Sequence, residues 1–280
     1  MVAAARLQCP NYLTLALLAL CLVASKPAQA AGSKASTVYF PHADARYLAP
    51  GQRDGGAALL PDVEDAGPLP LVVFLHGTNP TRSSHLWLGG GGHDLRPVAE
   101  RLYLNKKLRP FVLAGPSQTL AASRGRTLWQ GFDLSRFVDD VTQALAGRAT
   151  VDPSAVILLG HSGAGCNVDG GLTAELHSRG APLPLAIVAV DPCMDEELGR
   201  AFGRRPARVP LWLMWQSRVW PRDPAAFLAA LSASRPAGRV DRVEELPVWQ
   251  PKPHDRILPI ALARVVSKLL PRRVREVEAS

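Results

Sequence analysis

Five apolar runs of strand length alternate with stretches of helical spacing, and this alternation constrains the fold of the chain most strongly. The runs read LPLVVFL, PFVLAG, SAVILLG, PLAIVAV and VPLWLMW, and they begin at positions 69, 110, 154, 184 and 209. Continuous apolar runs are typical of strands that are buried on both faces of a sheet. Their alternation with helices favours a mostly parallel central sheet flanked by helices, in the α/β class.

The remaining segments complete this prediction. We expect a first strand in STVYF at 36–40, a last strand in RVEELPVW at 242–249, and a loop in the Gly- and Pro-rich stretch 49–70. Apolar spacing predicts helices over 95–108, 133–147, 164–179 and 255–270. With 280 residues, 47% of them hydrophobic, the chain is long enough to bury a large core in one domain.

The first thirty residues have the pattern of a secretory signal peptide. Arg6 gives a positive start, the apolar stretch YLTLALLALCLVA follows, and AQA at 28–30 is typical of a cleavage site. We therefore predict a mature domain of residues 31–280, secreted or periplasmic, with no stable membrane span after cleavage. A membrane anchor is the alternative, but the apolar stretch is short for a span of about 20 residues. A lipoprotein modified at Cys21 is weaker, because Leu stands where a small residue is expected.

Removal of this segment changes the charge and the cysteine content. The formal charge of +8 loses Arg6 and Lys26 and becomes +6. The basic stretches at 203–209 and 271–275 are not interleaved with aromatic residues, so we expect no nucleic-acid partner. Cys166 and Cys193 remain, and two cysteines in an exported chain predict a disulfide.

One serine stands between glycines where an apolar run stops. The stretch ILLGHSGAGCN at 157–167 holds Ser162 in a G-x-S-x-A pattern, which differs from the G-x-S-x-G nucleophile elbow only in Ala164. Small residues allow a strained strand-to-helix turn that exposes the hydroxyl, and a helix beginning at 164 would direct its positive dipole end to an oxyanion. The amides of Gly163 and of Thr78, in the loop after His76-Gly77, are the predicted oxyanion donors. We expect His76 itself to be structural and to hold this loop through hydrogen bonds.

These features together resemble the α/β-hydrolase superfamily of esterase- and lipase-like serine hydrolases. The similarity covers about residues 37–270 and rests on HG at 76–77, the elbow at 160–165 and a late histidine, His254, before the closing helix. The resemblance implies an eight-stranded, mostly parallel sheet and a Ser–Asp–His triad in that chain order. It assigns Ser162 as nucleophile and His254 as base.

The resemblance leaves the triad acid open between two residues. In most members the acid follows the strand that corresponds to PLWLMW, which places it near Val219; Asp223 could serve there if the loop is longer. Asp191, directly after LAIVAV, is the other candidate, because some members carry the acid after this earlier strand. A Cys166–Cys193 disulfide would fasten the nucleophile turn to the Asp191 loop, which favours Asp191.

The sequence says less about the substrate. Fewer than twenty residues separate Asp191 from Pro210, so we expect a minimal lid and an open site. The stretch LWLGGGGHD at 86–94 is either a mobile wall or a simple surface loop, and Trp87, Trp129 and Trp220 are candidate substrate contacts. Since neither a metal motif nor a nucleotide fingerprint occurs, we expect cofactor-free chemistry.

The combined prediction is an exported serine hydrolase that cleaves small or polymeric carboxylic esters through an acyl-enzyme on Ser162. A serine peptidase or amidase with the same triad is one alternative. A non-catalytic binding protein with the same fold is the other, since the acid does not stand in its most common place.

Overall fold

Eight strands of the described chain form one twisted sheet. The computed structural model describes residues 35–42, 44, 46–63, 67–120, 125–179, 183–204, 209–218, 224–237, 239 and 241–272, which all belong to one compact unit. The predicted signal peptide, Trp220 and Asp223 lie outside the described residues. The strands are β1 (Ser36–Phe40), β2 (Gly56–Leu60), β3 (Leu69–Leu75), β6 (Val112–Pro116), β7 (Val151–His161), β8 (Ala186–Val190), β9 (Leu211–Trp215) and β10 (Arg242–Glu245).

The sheet is mostly parallel, as the sequence predicts. Its strand order is β1-β2-β6-β3-β7-β8-β9-β10. The pairs β1–β2 and β2–β6 are antiparallel, and the other five pairs are parallel. The carboxyl ends of the parallel strands therefore lie along one edge, where the loops of such sheets carry functional residues. A separate short pair, β4 (Leu86–Trp87) and β5 (Gly90–Asp94), lies in the glycine-rich stretch after β3.

Helices cover both faces of the sheet. They are α1 (Arg96–Tyr103), α2 (Leu134–Ala144), α3 (Gly171–His177), α4 (Glu196–Gly203), α5 (Pro224–Ser234) and α6 (Pro253–Leu269). Alternate residues of β3 enter two cores: Leu71, Val73 and Leu75 pack with α2–α5, whereas Val72 and Phe74 pack with α1 and α6. This alternation follows from the two-residue period of a strand, and it makes β3 apolar throughout.

Two parts of the prediction are wrong. The stretch 49–70 is not one loop, because β2 lies within it, buried at each of its five residues. The helix predicted over 164–179 does not form as one element: a single turn of 3-10 helix covers Ser162–Gly165, and α3 begins only at Gly171. Four glycines between 163 and 171 weaken helix formation there, and the Asn167 side chain accepts a hydrogen bond from the Asp169 amide and favours a turn.

The segment between β8 and β9 belongs to the helical layer over the sheet. Helix α4 lies in this segment, and Gly199 allows it to approach the main chain of α5, since a β-carbon there would lie 2.4 Å from the carbonyl oxygen of Phe227. The rings of Phe202 and Phe227 pack edge to face at 6.1 Å. Among the described helices, none is both long and apolar enough to cross a bilayer.

Candidate active site

Ser162 and Asp191 follow two neighbouring parallel strands. The last pair between β7 and β8 is His161 with Val190, so the next residue on each strand is Ser162 or Asp191. Both have left-handed backbones, with φ of 55° and 48°. Such values strain a residue with a side chain and are typical of positions that a site requires. The two turns place a hydroxyl and a carboxylate at the same edge of the sheet.

His254 joins these two side chains into one chain of hydrogen bonds. It lies in the first turn of α6, and its Nε2 is 2.9 Å from Oγ of Ser162. Its Nδ1 forms a short hydrogen bond with Oδ2 of Asp191. The proton on Nδ1 therefore faces the carboxylate, and Nε2 is left to accept the Ser162 proton, as a general base must.

Gln216, which was not predicted from the sequence, donates a hydrogen bond to the carboxylate of Asp191. Asp191 is fully buried, and Nε2 of Gln216 donates a hydrogen bond of 2.9 Å to its Oδ2. Gln216 directly follows β9, three residues before Val219, the position near which the resemblance places the acid in most members. An uncharged amide there gave no signal in the sequence, yet it supplies a donor that a buried carboxylate needs.

The predicted oxyanion donors lie where two glycines let main chains meet. A β-carbon on Gly77 would lie 2.7 Å from Cβ of Ser162 and 3.2 Å from the amide nitrogen of Gly163. A β-carbon on Gly163 would lie 3.3 Å from the amide nitrogen of Thr78. The amide nitrogens of Thr78 and Gly163 therefore lie close together beside Ser162, as the prediction of an oxyanion site requires.

His76 fixes this loop as a neutral imidazole. Its Nε2 accepts a 3.0 Å hydrogen bond from the Gln118 amide, so its Nδ1 carries the proton and donates to the carbonyl of Gly77 at 2.8 Å. Complete burial lowers the pKa of His76 to about 4, which keeps the ring uncharged near neutral pH. These contacts agree with the structural part that the sequence predicts for His76.

Trp129 supports the same loop from within the core, and this corrects its expected place at the substrate. The indole is fully buried, and its Nε1 donates a 2.9 Å hydrogen bond to the carbonyl of His76. The ring also packs against the His76 and Tyr47 rings. Its conformation is set by this donor and by the apolar surroundings, as is common for buried tryptophans.

The stretch 86–94, which we call the flap, contacts the base side of the site. Trp87 is only 6% exposed; it stacks on His93 at 4.5 Å and packs edge-on against His161 at 5.6 Å. His93 in turn lies 3.1 Å from Oδ2 of Asp255, measured from Nε2. The described ring contacts of Trp87 are to these two histidines, the residue also packs in the apolar core on the α1 and α6 side of the sheet, and its contact with substrate stays a prediction.

The turn after Ser162 is closed by a disulfide instead of a long helix. Cys166 and Cys193 are joined, with their Cα atoms 4.9 Å apart. Since Cys193 lies two residues after Asp191, the bond ties the nucleophile turn to the acid loop. The expected dipole of a helix over 164–179 is absent in this described segment, so the oxyanion contact predicted for the amides of Gly163 and Thr78 would have no long-helix dipole to support it. No group of metal-binding side chains occurs among the described residues.

Comparison with known proteins agrees with this architecture. No protein-family model and no curated protein matches the chain. An S-formylglutathione hydrolase from Agrobacterium tumefaciens matches with a TM-score of 0.53 and 13% identity, over 85% of this chain and 96% of that one. A fluorophosphonate-binding serine hydrolase from Staphylococcus aureus matches with a TM-score of 0.52 and 13% identity, over 83% and 98%.

A third solved structure is an acylaminoacyl peptidase in complex with a chloromethyl ketone. It matches with a TM-score of 0.51 and 12% identity over 88% of this chain, but this chain spans only 43% of that one. At these identities the comparisons establish the fold alone. The chain has the α/β-hydrolase fold, as the sequence predicts.

Proposed function

We propose that this protein is a serine hydrolase that cleaves carboxylic esters through an acyl-enzyme on Ser162. The observation that carries the proposal is the continuous hydrogen-bond chain from Ser162 Oγ through His254 to the buried carboxylate of Asp191. The likeness in fold to structures described as a serine hydrolase and as an S-formylglutathione hydrolase supports it. Strained backbones at both Ser162 and Asp191 support a catalytic site over an idle turn, because such strain clusters at active sites.

The proposed reaction has two balanced halves. In acylation, Ser162 Oγ attacks the ester carbonyl carbon while its proton passes to His254 Nε2. The amides of Gly163 and Thr78 hold the oxyanion, and His254 then gives the proton to the departing alcohol oxygen. In deacylation, His254 takes a proton from water, the hydroxide oxygen attacks the acyl carbon, and Ser162 Oγ leaves with the proton. Asp191 stabilises the imidazolium in both halves without changing its own protonation.

An ester is the substrate class to test first, because an alcohol leaves more readily than an amine. A peptide or amide substrate would use the same residues, and one fold neighbour is described as a peptidase. The experiment is hydrolysis of p-nitrophenyl esters of increasing chain length by the wild type and by Ser162→Ala, beside a matched panel of anilides. Turnover of esters that is lost in Ser162→Ala supports the proposal. Turnover of anilides alone would replace the ester by an amide, and undiminished turnover in Ser162→Ala would overturn the mechanism.

Export belongs to the same proposal. We infer cleavage after Ala30 from the sequence pattern of residues 1–30, followed by release into the periplasm or medium. The Cys166–Cys193 disulfide supports this inference, because such bonds persist mainly in oxidising compartments. Amino-terminal sequencing of protein recovered outside the cytoplasm tests it, with Ala31 as the expected first residue.

A further inference from the structure

Two adjacent residues contact opposite ends of the proposed base. Ser162 meets the His254 imidazole, and His161 meets the His254 main chain: Nε2 of His161 is 2.8 Å from the carbonyl oxygen of His254. Because a carbonyl oxygen only accepts, that nitrogen of His161 carries the proton and donates it. The two rings also pack against each other at 4.7 Å. The elbow therefore holds the turn that bears the base as well as the base's own nitrogen.

The flap holds the same turn from the other side. Asp255, the neighbour of His254, pairs with His93 at 3.1 Å, and His93 stacks on Trp87. Trp87 in turn packs on His161. Trp87, His93, His161 and Asp255, which we call the base-supporting cluster, thus form a closed ring of contacts with His254.

We propose that His161 is a positioning residue for His254, and that the His93–Asp255 pair secures the same turn from the flap. The inference rests on the proposed function, since it concerns the geometry of that base. The side chain of His254 can reach Ser162 Oγ and Asp191 together only if its backbone stays in place. Lys252, two residues earlier, has a left-handed backbone with φ of 56°, so this turn is strained and needs support from its contacts.

The choice of histidine at position 161 suits this task. Burial, with a smaller contribution from nearby His254, lowers the pKa of His161 to about 4. The ring therefore donates its hydrogen bond as a neutral group. A charged donor at this place would oppose protonation of His254, whereas a neutral imidazole fixes the carbonyl without that penalty.

The matched variants are His161→Gln and His161→Leu. Glutamine keeps an N–H donor that can reach the carbonyl, and leucine keeps volume but leaves the carbonyl without its donor. A role limited to folding would lower stability and the amount of active protein in both. A positioning role predicts instead that glutamine restores function and leucine does not.

The first readout needs no substrate. The proton that His254 Nδ1 shares with Asp191 should give a far-downfield NMR signal, which His254→Ala would assign by removing it. We expect this signal to persist in His161→Gln and to be lost or broadened in folded His161→Leu. An unchanged signal in His161→Leu would overturn the inference, whether or not the protein turns out to hydrolyse esters.

The second readout is the rate of Ser162 modification by a fluorophosphonate. A displacement of about 1 Å can cost about 100-fold in rate. We therefore expect the rate constant to fall about 10- to 100-fold in His161→Leu and to stay within about threefold of wild type in His161→Gln. With a p-nitrophenyl ester, kcat should fall while KM stays. Equal rates for the two variants would overturn the inference; no modification of wild type would instead count against the proposed function.

Variants of the His93–Asp255 pair test the inference even if His161→Leu fails to fold. His93 and Asp255 are partly exposed, with 36% and 28% of their side chains accessible, so His93→Gln and Asp255→Asn are mild changes. Each should slow fluorophosphonate modification, and the double variant should be no slower than the slower single one, because both remove one contact. If both single variants and the double variant keep the wild-type modification rate and an unchanged His254–Asp191 signal, the proposed role of this pair in securing the turn is overturned.

Discussion

Ser162 and Asp191 occupy equivalent places on neighbouring parallel strands, one residue beyond the paired His161 and Val190, and both have left-handed backbones. The positions of the proposed nucleophile and acid are therefore set by two strand ends of the same sheet, only one strand spacing apart. The proposed base, His254, comes from the distant start of α6 and bridges them. The sheet therefore fixes the positions of Ser162 and Asp191, whereas the position of His254 depends on contacts outside the sheet.

Asp191→Asn should abolish most of the activity. An amide at this position favours the wrong imidazole tautomer and leaves the imidazolium without a counter-charge, a change that costs about 10⁴-fold in kcat in serine proteases. Steady-state kinetics with the best p-nitrophenyl ester measures the loss. Asp223→Asn is the matched control and should keep wild-type turnover; the opposite pattern would move the acid to Asp223.

Gly77→Ala should impair the site while the protein stays folded. The added carbon would lie 2.7 Å from Cβ of Ser162, so the loop that carries the Thr78 amide must shift. Since removal of one oxyanion donor costs about 10²- to 10³-fold in kcat, we expect a loss of at least about 100-fold. Gly125→Ala, where an added carbon meets no atom within 4 Å, should behave as wild type. Comparable kinetics in the two variants would contradict the assigned oxyanion loop.

Loss of the disulfide should lower both stability and activity. The bond links residues 27 apart in sequence, and a loop of this length corresponds to about 3 to 4 kcal/mol of unfolding free energy. Cys166→Ser/Cys193→Ser should therefore unfold at lower urea concentration than wild type, and its turnover should fall because the acid loop is no longer tied to the elbow. Dithiothreitol should inhibit wild type and leave the double variant unaffected. A double variant as stable and as active as wild type would show that the bond is dispensable.

Two buried histidines predict how stability depends on pH. Burial lowers the pKa of His76 and of His161 to about 4 in the folded protein, whereas both titrate near 6.5 when unfolded. Between these values the unfolded chain binds protons that the folded protein does not. Hence the free energy of unfolding should fall as pH is lowered from 6.5 towards 4, by at most about 1.4 kcal/mol per pH unit for each imidazole.

Urea denaturation at pH 7.5, 6, 5 and 4.5 checks this prediction. His161→Gln removes one of the two groups and should show a shallower decline than wild type. A decline of equal slope in both proteins would mean that His161 does not remain neutral in the folded state.

The apolar runs and their alternation with helical stretches predicted most of the fold. The prediction was wrong where local residue types decide the structure. The apolar runs predict β3, β6, β7, β8 and β9, because strands buried on both faces must be apolar throughout. Strand β2 was missed since GAALL is short and lies among glycines, prolines and acids that are typical of loops. The prediction of one helix over 164–179 was wrong because three glycines in this stretch, at 165, 170 and 171, disfavour a helix more strongly than its apolar spacing favours one.

Some residues of the site could likewise be predicted from the sequence, and others could not. Ser162 and Asp191 stand directly after strands, so their neighbourhood follows from the order of a parallel sheet. The sequence did not predict the contacts of Gln216 and His161. These contacts depend on which residues their side chains meet across the site. Trp129 was misplaced for a related reason: an aromatic residue looks alike in sequence whether it lines a cleft or supports a loop from the core.

Mass spectrometry of the fluorophosphonate-treated protein shows whether Ser162 is an activated nucleophile, because only an activated serine reacts rapidly. We expect one adduct per chain, located on the peptide that contains Ser162, and its loss in Ser162→Ala and in His254→Ala. An adduct on another residue, or a wild-type protein that stays unmodified at reagent concentrations sufficient for a serine hydrolase, would contradict the assignment of Ser162 as an activated nucleophile.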